Sequence, residues 1–274
     1  MKLSRTNTIL GKMKEQGITH ALVSDPYSIF YLTGFLENPG ERFFAILLDE
    51  NGNHKLFLNI LFPLEEDLGL EIVSYSDTDD IISKVAEYIP DGTKLGIDKI
   101  FPARFLLPLM DKLPKTKFVD VSVLVDTTRM LKDEEEKELM RISSELNDKA
   151  CQFVIDNITE HTTEKDLVKK LLAYYEEIGV EGTSFAPIIA FGDNGANPHG
   201  MPGDRKPKPG ESVIVDIGGI KDKYCSDMTR TVFFKQPTPE DREVFEIVLE
   251  AVKRGTALVK PGTRLCDIDA ACRD

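Results

Sequence analysis

Two carboxylates, Asp216 and Asp227, stand in the stretch Ser212-Val-Ile-Val-Asp216-Ile-Gly-Gly-Ile-Lys-Asp-Lys-Tyr-Cys-Ser-Asp227-Met-Thr-Arg-Thr231, at a spacing that suits shared work. Residues 213–217 and 224–234 are rich in β-branched and aromatic side chains, and Gly218, Gly219 and Lys221-Asp222 between them supply a turn. The segment predicts a β-hairpin. A turn centred on Lys221-Asp222 sets Asp216 directly opposite Asp227, with Cβ atoms roughly 4.5–5.5 Å apart on one face. Like charges so placed repel each other. A divalent cation relieves the repulsion, and carboxylate oxygens are suitable ligands for Mn²⁺, Zn²⁺ or Co²⁺. A proton shared between the two groups, or full solvation of both at the turn, relieves it as well. Thr229 falls on the same strand face as Asp227, where its hydroxyl can orient a ligand or serve as an ordinary strand residue.

The elements that must position these groups divide the chain near residues 125–127. Ahead of that point helix and strand alternate. Residues 6–16 predict an amphipathic helix, 21–23 a short strand, and 43–48 with 55–59 a hairpin around Glu50-Asn-Gly-Asn53. A helix over 79–89 ends at Pro90-Asp-Gly92, a strand follows at 94–98, then a helix over 102–112 and a strand at 117–121. Alternating elements with one antiparallel insertion imply an α/β domain, residues 1–126, built on a mixed sheet with flanking helices. It carries no phosphate-binding glycine loop.

Residues 127–274 form the second predicted domain. Leu139, Ile142, Leu146, Ala150 and Phe153 step by three and four through 132–157, which is the apolar stripe of a long amphipathic helix. The run Asp133-Glu-Glu-Glu136 suits its first turn, where the helix dipole favours negative charge. A second helix opens at Thr163 and Asp166 and closes at Gly179, and a third runs from Thr238-Pro239 to Gly255. Residues 264–274 predict the first turns of a fourth.

Composition narrows the function classes. A net charge of −13 leaves no basic excess to neutralise phosphates, so a nucleic-acid partner is not expected. No apolar run reaches the roughly 20 residues that span a bilayer, and no apolar stretch follows Met1-Lys-Leu-Ser-Arg-Thr as in a signal peptide. Cys151, Cys225, Cys266 and Cys272 form no CxxC pattern, so reduced thiols in a cytoplasmic protein are expected.

Four strings then converge: Phe185-Ala-Pro-Ile-Ile-Ala-Phe-Gly192; Asn197-Pro-His199-Gly200; Lys208-Pro-Gly210 running on to Asp216-Ile-Gly218; and Tyr224-Cys-Ser-Asp227-Met-Thr229-Arg-Thr231. Together they resemble the pita-bread metallopeptidases of the Xaa-Pro dipeptidase (prolidase) and Xaa-Pro aminopeptidase branch. The first domain resembles that branch's creatinase-like N-terminal domain, including Asp25-Pro-Tyr-Ser-Ile-Phe-Tyr31-Leu-Thr-Gly34, and Arg129-Met-Leu-Lys132 fits the approach to its catalytic domain. The resemblance covers nearly the whole chain. It implies Asp216 and Asp227 as metal ligands and His199 as the histidine beside the scissile bond. It also implies two divalent metal ions, with Mn²⁺ expected and Co²⁺ or Zn²⁺ as alternatives. The substrate is then an Xaa-Pro dipeptide or short peptide, and the assembly a homodimer. No organic cofactor is implied.

The family holds its two metals with Asp, Asp, His, Glu and Glu, and this sequence matches two of those five positions. His20 and His54 belong to the first domain and His161 to a helix start, so none is a candidate for the third. The pita-bread domain is therefore expected to be incomplete at its C-terminal end, with weak metal binding and no useful turnover. Two further readings stand beside the peptidase: a non-catalytic module acting in dimerisation or in shaping a neighbour's site, and a metal-free creatinase-like amidinohydrolase. The paired aspartates disfavour the last of these.

Overall fold

The structure, a computed structural model, describes residues 1–274, which form two compact units, Met1–Lys132 and Asp133–Asp274. The first unit contains α1 (Leu3–Glu15), β1 (His20–Val23), α2 (Pro26–Thr33), β2 (Ala45–Asp49), β3 (Lys55–Asn59) and β4 (Glu71–Tyr75). It continues with α3 (Ile81–Ala86), β5 (Lys94–Ile97), α4 (Ala103–Lys112), β6 (Lys117–Asp120) and α5 (Ser122–Arg129). The second contains α6 (Glu134–Asp156), α7 (Glu164–Glu177), β7 (Gly182–Thr183), β8 (Ile188–Phe191), β9 (Ser212–Ile217) and β10 (Gly219–Lys221). After these come β11 (Tyr224–Cys225), β12 (Met228–Phe233), α8 (Pro239–Ala257) and α9 (Leu265–Arg273).

The six strands of the first unit lie in the order β4-β3-β2-β1-β5-β6. β1–β2 and β2–β3 are antiparallel, whereas β3–β4, β1–β5 and β5–β6 are parallel. This is the mixed sheet expected from the alternation, and both faces are covered. Ala21 and Val23 point into a core with Ile9 and Met13 of α1, Ile29 and Leu32 of α2 and Leu124 of α5. Leu22, between them, points the other way, into a core with Val85 of α3 and Phe105 and Leu109 of α4. The period-2 alternation of side chains thus sorts the helices to the two faces. Burial on both faces also explains why the strands read as continuous apolar runs.

Three elements go beyond the sequence expectation. α2 starts at Pro26, with Asp25 as N-cap accepting from the Ser28 amide at 3.0 Å, in a stretch for which the sequence reading gave no element. β4 is only half-buried at an edge, so its apolar signal is weak. α5 runs through residues 125–127, and the two units divide between Lys132 and Asp133, six residues beyond the expected boundary. Arg129 of α5 reaches back to Ser28 Oγ at 3.1 Å and Asp25 Oδ2 at 3.3 Å, which ties this helix to the first unit.

In the second unit the capping signals act where the sequence puts them. Asp133 and Glu136 form a capping box on α6, and Thr163 and Asp166 form one on α7. The buried face of α6, with Ala150, Cys151 and Val154, packs on Leu167, Leu171 and Tyr175 of α7 and on Val213, Val215 and Ile217 of β9. α8 corrects one expectation. It continues past Gly255 to Ala257, because Gly255 does not terminate the helix but lets α9 approach it: a Cβ there would lie 2.5 Å from Cys272 Sγ.

Asn147 of α6 connects this core to the strand that carries Asp216. It is 1% exposed, donates to the Ile217 carbonyl at 3.0 Å and accepts from the Tyr175 hydroxyl at 2.7 Å. Burial pushes the Tyr175 hydroxyl well above its ordinary pKa, so it stays a neutral donor. Asn147→Ala strands both partners and is expected to cost roughly 2–4 kcal/mol of unit stability. The check is the urea midpoint of the unfolding step of residues 133–274; a midpoint equal to wild type removes this role.

Candidate metal centre and peptidase site

The hairpin that carries the carboxylates is longer and more bent than expected. Its turn is Asp222-Lys223, at φ 48° and 66°, the positive pair demanded by a two-residue type I′ turn. Ile220 pairs with Cys225 and Lys221 with Tyr224 above the turn, while Met228 pairs with Ile217 and Thr229 with Asp216 further down. Asp216 therefore faces Thr229, not Asp227, and this corrects the register read from the sequence. Moving the turn centre by one residue shifts the pairing by two, which keeps every side chain on its face but changes its direct partner. Continuing the same register puts Asp227 level with Gly218. Asp216 and Asp227 are diagonal neighbours on one face, a relation that spans roughly 7–8 Å in a regular ladder.

The hairpin also divides between two sheets. Its tip, β10 and β11, joins β7, and its base, β9 and β12, joins β8, with the break at Gly218 on one side and Ser226-Asp227 on the other. At this break the chains come very close. A Cβ on Gly218 would lie 2.1 Å from Ser184 Oγ and 2.2 Å from the Ser226 carbonyl oxygen. Ser184 Oγ donates to that carbonyl at 2.7 Å, and Ser226, itself buried, receives the Gly219 amide on its hydroxyl at 3.0 Å. Asp227 follows immediately, so its backbone is fixed although its side chain is exposed. Ser143 of α6 donates to the Gly219 carbonyl at 3.2 Å, anchoring the same break to the core.

Along β9, Val213, Val215 and Ile217 are buried while Ser212, Ile214 and Asp216 are half-buried on the opposite face. The Asp216 face is thus the open side of the β8-β9-β12 sheet. On it the Thr229 hydroxyl donates to Asp216 Oδ1 at 2.8 Å. Neither Asp216 nor Asp227 is paired with a lysine or arginine. In kind, two carboxylates without a cationic partner fit a divalent metal ion. In number they are a pair: no group of three or more His, Cys, Asp or Glu residues converges in this chain.

His199 stands on a different element, the 192–203 loop after β8. It is exposed, its amide donates to Asn197 Oδ1 at 3.1 Å, and its imidazole makes no hydrogen bond. The loop begins as a 3₁₀ turn, Gly192–Ala196, and returns to α7, where the Lys165 amide donates to the Gly203 carbonyl at 3.1 Å. Sequence reasoning passed over two residues that shape this region. Gly218 was assigned to the turn, because nothing local distinguishes a turn glycine from one crossed by another backbone. Glu164 was not singled out, because an acidic residue at a helix start does not signal where its carboxylate goes; only tertiary structure shows that.

With this fold and this pair of carboxylates in place, the chain can be set among known proteins. Residues 138–274 match metallopeptidase family M24, and residues 5–131 match the creatinase/prolidase N-terminal domain. The protein belongs to metallopeptidase family M24 and is a peptidase. It is 34% identical over 278 residues to an uncharacterized peptidase of Staphylococcus saprophyticus, covering 100% of this chain and 78% of that one. It matches the crystal structure of a prolidase from Thermococcus sibiricus with a TM-score of 0.91 at 31% identity, over 100% of this chain and 76% of the other. An X-Pro aminopeptidase from Thermotoga maritima matches with a TM-score of 0.83 at 26% identity, over 96% and 76%. The fold is the pita-bread prolidase fold with a creatinase-type N-terminal domain, as the sequence motifs implied.

Proposed function

We propose that the chain serves metal-dependent hydrolysis of Xaa-Pro peptide bonds, with dipeptides as the preferred substrates. The observation that carries this reading is the presence of Asp216, Thr229 and Asp227 on one open sheet face, in a chain that matches a prolidase along its whole length. The prolidase match is closer than the aminopeptidase match in both TM-score and identity, which favours the dipeptidase form. Asp216 and Asp227 are the residues that would hold divalent metal, Mn²⁺ by preference, and Thr229 keeps Asp216 in a single orientation through its hydrogen bond. When bound, such ions supply an acidified water and a polarised carbonyl for amide hydrolysis. His199, with an unengaged imidazole, would donate to the carbonyl of a bound peptide. An Xaa-Pro bond is a tertiary amide with no N–H, so recognition has to fall on the proline ring. A homodimer and a cytoplasmic location accompany this reading.

The test is a Mn²⁺ titration of the purified chain, followed by incubation with an Xaa-Pro dipeptide, the matching Xaa-Ala dipeptide and an Xaa-Pro-Yaa tripeptide. Two carboxylates alone make a weak site, so weak Mn²⁺ binding and slow turnover confined to the Xaa-Pro dipeptide are expected. Faster cleavage of the tripeptide assigns the aminopeptidase form. Absence of both Mn²⁺ binding at the hairpin and cleavage leaves the non-catalytic module as the better reading.

A further inference from the structure

Glu164, the first residue of α7, is 0% exposed. Its carboxylate has no lysine or arginine partner and is held only by N–H donors. Oε1 accepts from the Phe191 amide at 2.8 Å, and Oε2 accepts from the Gly203 amide at 2.6 Å and from Asn194 Nδ2 at 2.9 Å. Phe191 and Gly203 are the two stems of the His199 loop, and Asn194 lies inside it. A buried carboxylate with three directed donors is a strong, geometrically specific acceptor, and its place in the first turn of a helix adds favourable dipole interaction. The Glu164 amide in turn donates to the Arg205 carbonyl at 3.2 Å, so main chain and side chain grip the loop together.

We infer that Glu164 is the positioning residue for His199: by tying both stems of the 192–203 loop to the start of α7, its carboxylate fixes where the imidazole is held. The use of that imidazole against a bound peptide rests on the function proposed above, but the positioning itself does not. Two other ties also hold the ends of the loop rather than its tip: Arg205 pairs with Asp193 at 3.6 Å, and the Lys165 amide donates to the Gly203 carbonyl at 3.1 Å. Within it the Asn197 amide donates to Asn194 O at 3.3 Å and the Gly200 amide to Asn197 O at 2.9 Å, both local bonds that set shape but not placement. No helix or strand covers His199, so its position depends on the stems.

The test uses Glu164→Gln and Glu164→Ala in the full chain, with amide hydrogen exchange and the NMR signal of the His199 Cε1–H as readouts. Glutamine keeps the volume and one acceptor oxygen but turns an NH₂ toward donors; alanine removes all three bonds. Exchange at Phe191 and Gly203 is expected to rise at least about tenfold in the alanine variant and less in the glutamine variant, with Val213 and Val215 unchanged. The His199 signal is expected to move toward its position in an unstructured peptide in the same order. A His199 signal identical to wild type in both variants overturns the proposal. So does a uniform rise in exchange across residues 133–274, which marks a residue that only stabilises the unit. If the alanine variant does not fold, the glutamine variant decides by the same two readouts. Hydrolysis that is absent in wild type would count against the proposed Xaa-Pro activity, hydrolysis unaffected by His199→Ala would count against the use of its imidazole there, and either result would leave these loop readouts standing.

Discussion

Asp227→Ala is expected to lower Mn²⁺-dependent cleavage of an Xaa-Pro dipeptide by more than about 100-fold, beyond the roughly 10–100-fold losses typical of groups that only orient a metal ligand. The reason is local. Asp227 and Asp216 are the two carboxylates on the open face of the β8-β9-β12 sheet, and removing one leaves a single carboxylate that cannot hold an ion between them. Stability should change by no more than about 0.5 kcal/mol, because the Asp227 side chain is exposed and makes no ion pair. The measurement is therefore paired: cleavage rate with Mn²⁺ titration, and urea unfolding of the same samples. Retained cleavage in a folded variant would remove Asp227 from the site. Retained Mn²⁺ binding with lost cleavage would place the ion elsewhere.

Gly218→Ala should be as damaging to the site and far more damaging to the fold. The added Cβ meets Ser184 Oγ at 2.1 Å, the Ser226 carbonyl at 2.2 Å and Phe185 Cε1 at 2.7 Å. A serine hydroxyl can rotate away, but the Ser226 carbonyl is main chain and can move only if the hairpin opens. Opening it breaks the 2.7 Å bond from Ser184 Oγ to the Ser226 carbonyl and threatens the 3.0 Å bond from the Ser184 amide to the Gly218 carbonyl. Overpacking of this kind costs about 1–3 kcal/mol, and contact with backbone on one side places Gly218→Ala at or above about 3 kcal/mol. Asp227 moves with Ser226, so Mn²⁺ binding should be lost even in the fraction that stays folded. Thermal unfolding and Mn²⁺ titration of the variant test both halves. A variant as stable as wild type, with Mn²⁺ binding intact, would mean that the hairpin does not come as close at Gly218 as described.

The N-terminal sheet was legible because its signals are local. Strands that are buried on both faces show as apolar runs, and the hairpin loop around Asn51-Gly52 sits where turn chemistry requires it. α2 and α5 were missed for opposite reasons. α2 is apolar nearly all round, with no periodic stripe, and α5 lies across a segment that resembles a linker because its polar residues, Asp126 to Arg129, make their bonds to distant parts of the unit.

Sequence alone determined that two acidic residues share one hairpin face, the helix starts at Thr163 and Thr238, and the motif strings that place the chain among the M24 peptidases. Those features depend on residue type and short spacing, and short-range geometry carries them. Tertiary structure decided the register that sets Asp216 against Thr229, the close crossing at Gly218, and the burial of Glu164 beneath the His199 loop. Each depends on contact between segments far apart in the chain. A hairpin register turns on which residue takes the positive φ, and a buried acceptor is defined by donors 27 and 39 residues away. Local composition contains no record of either.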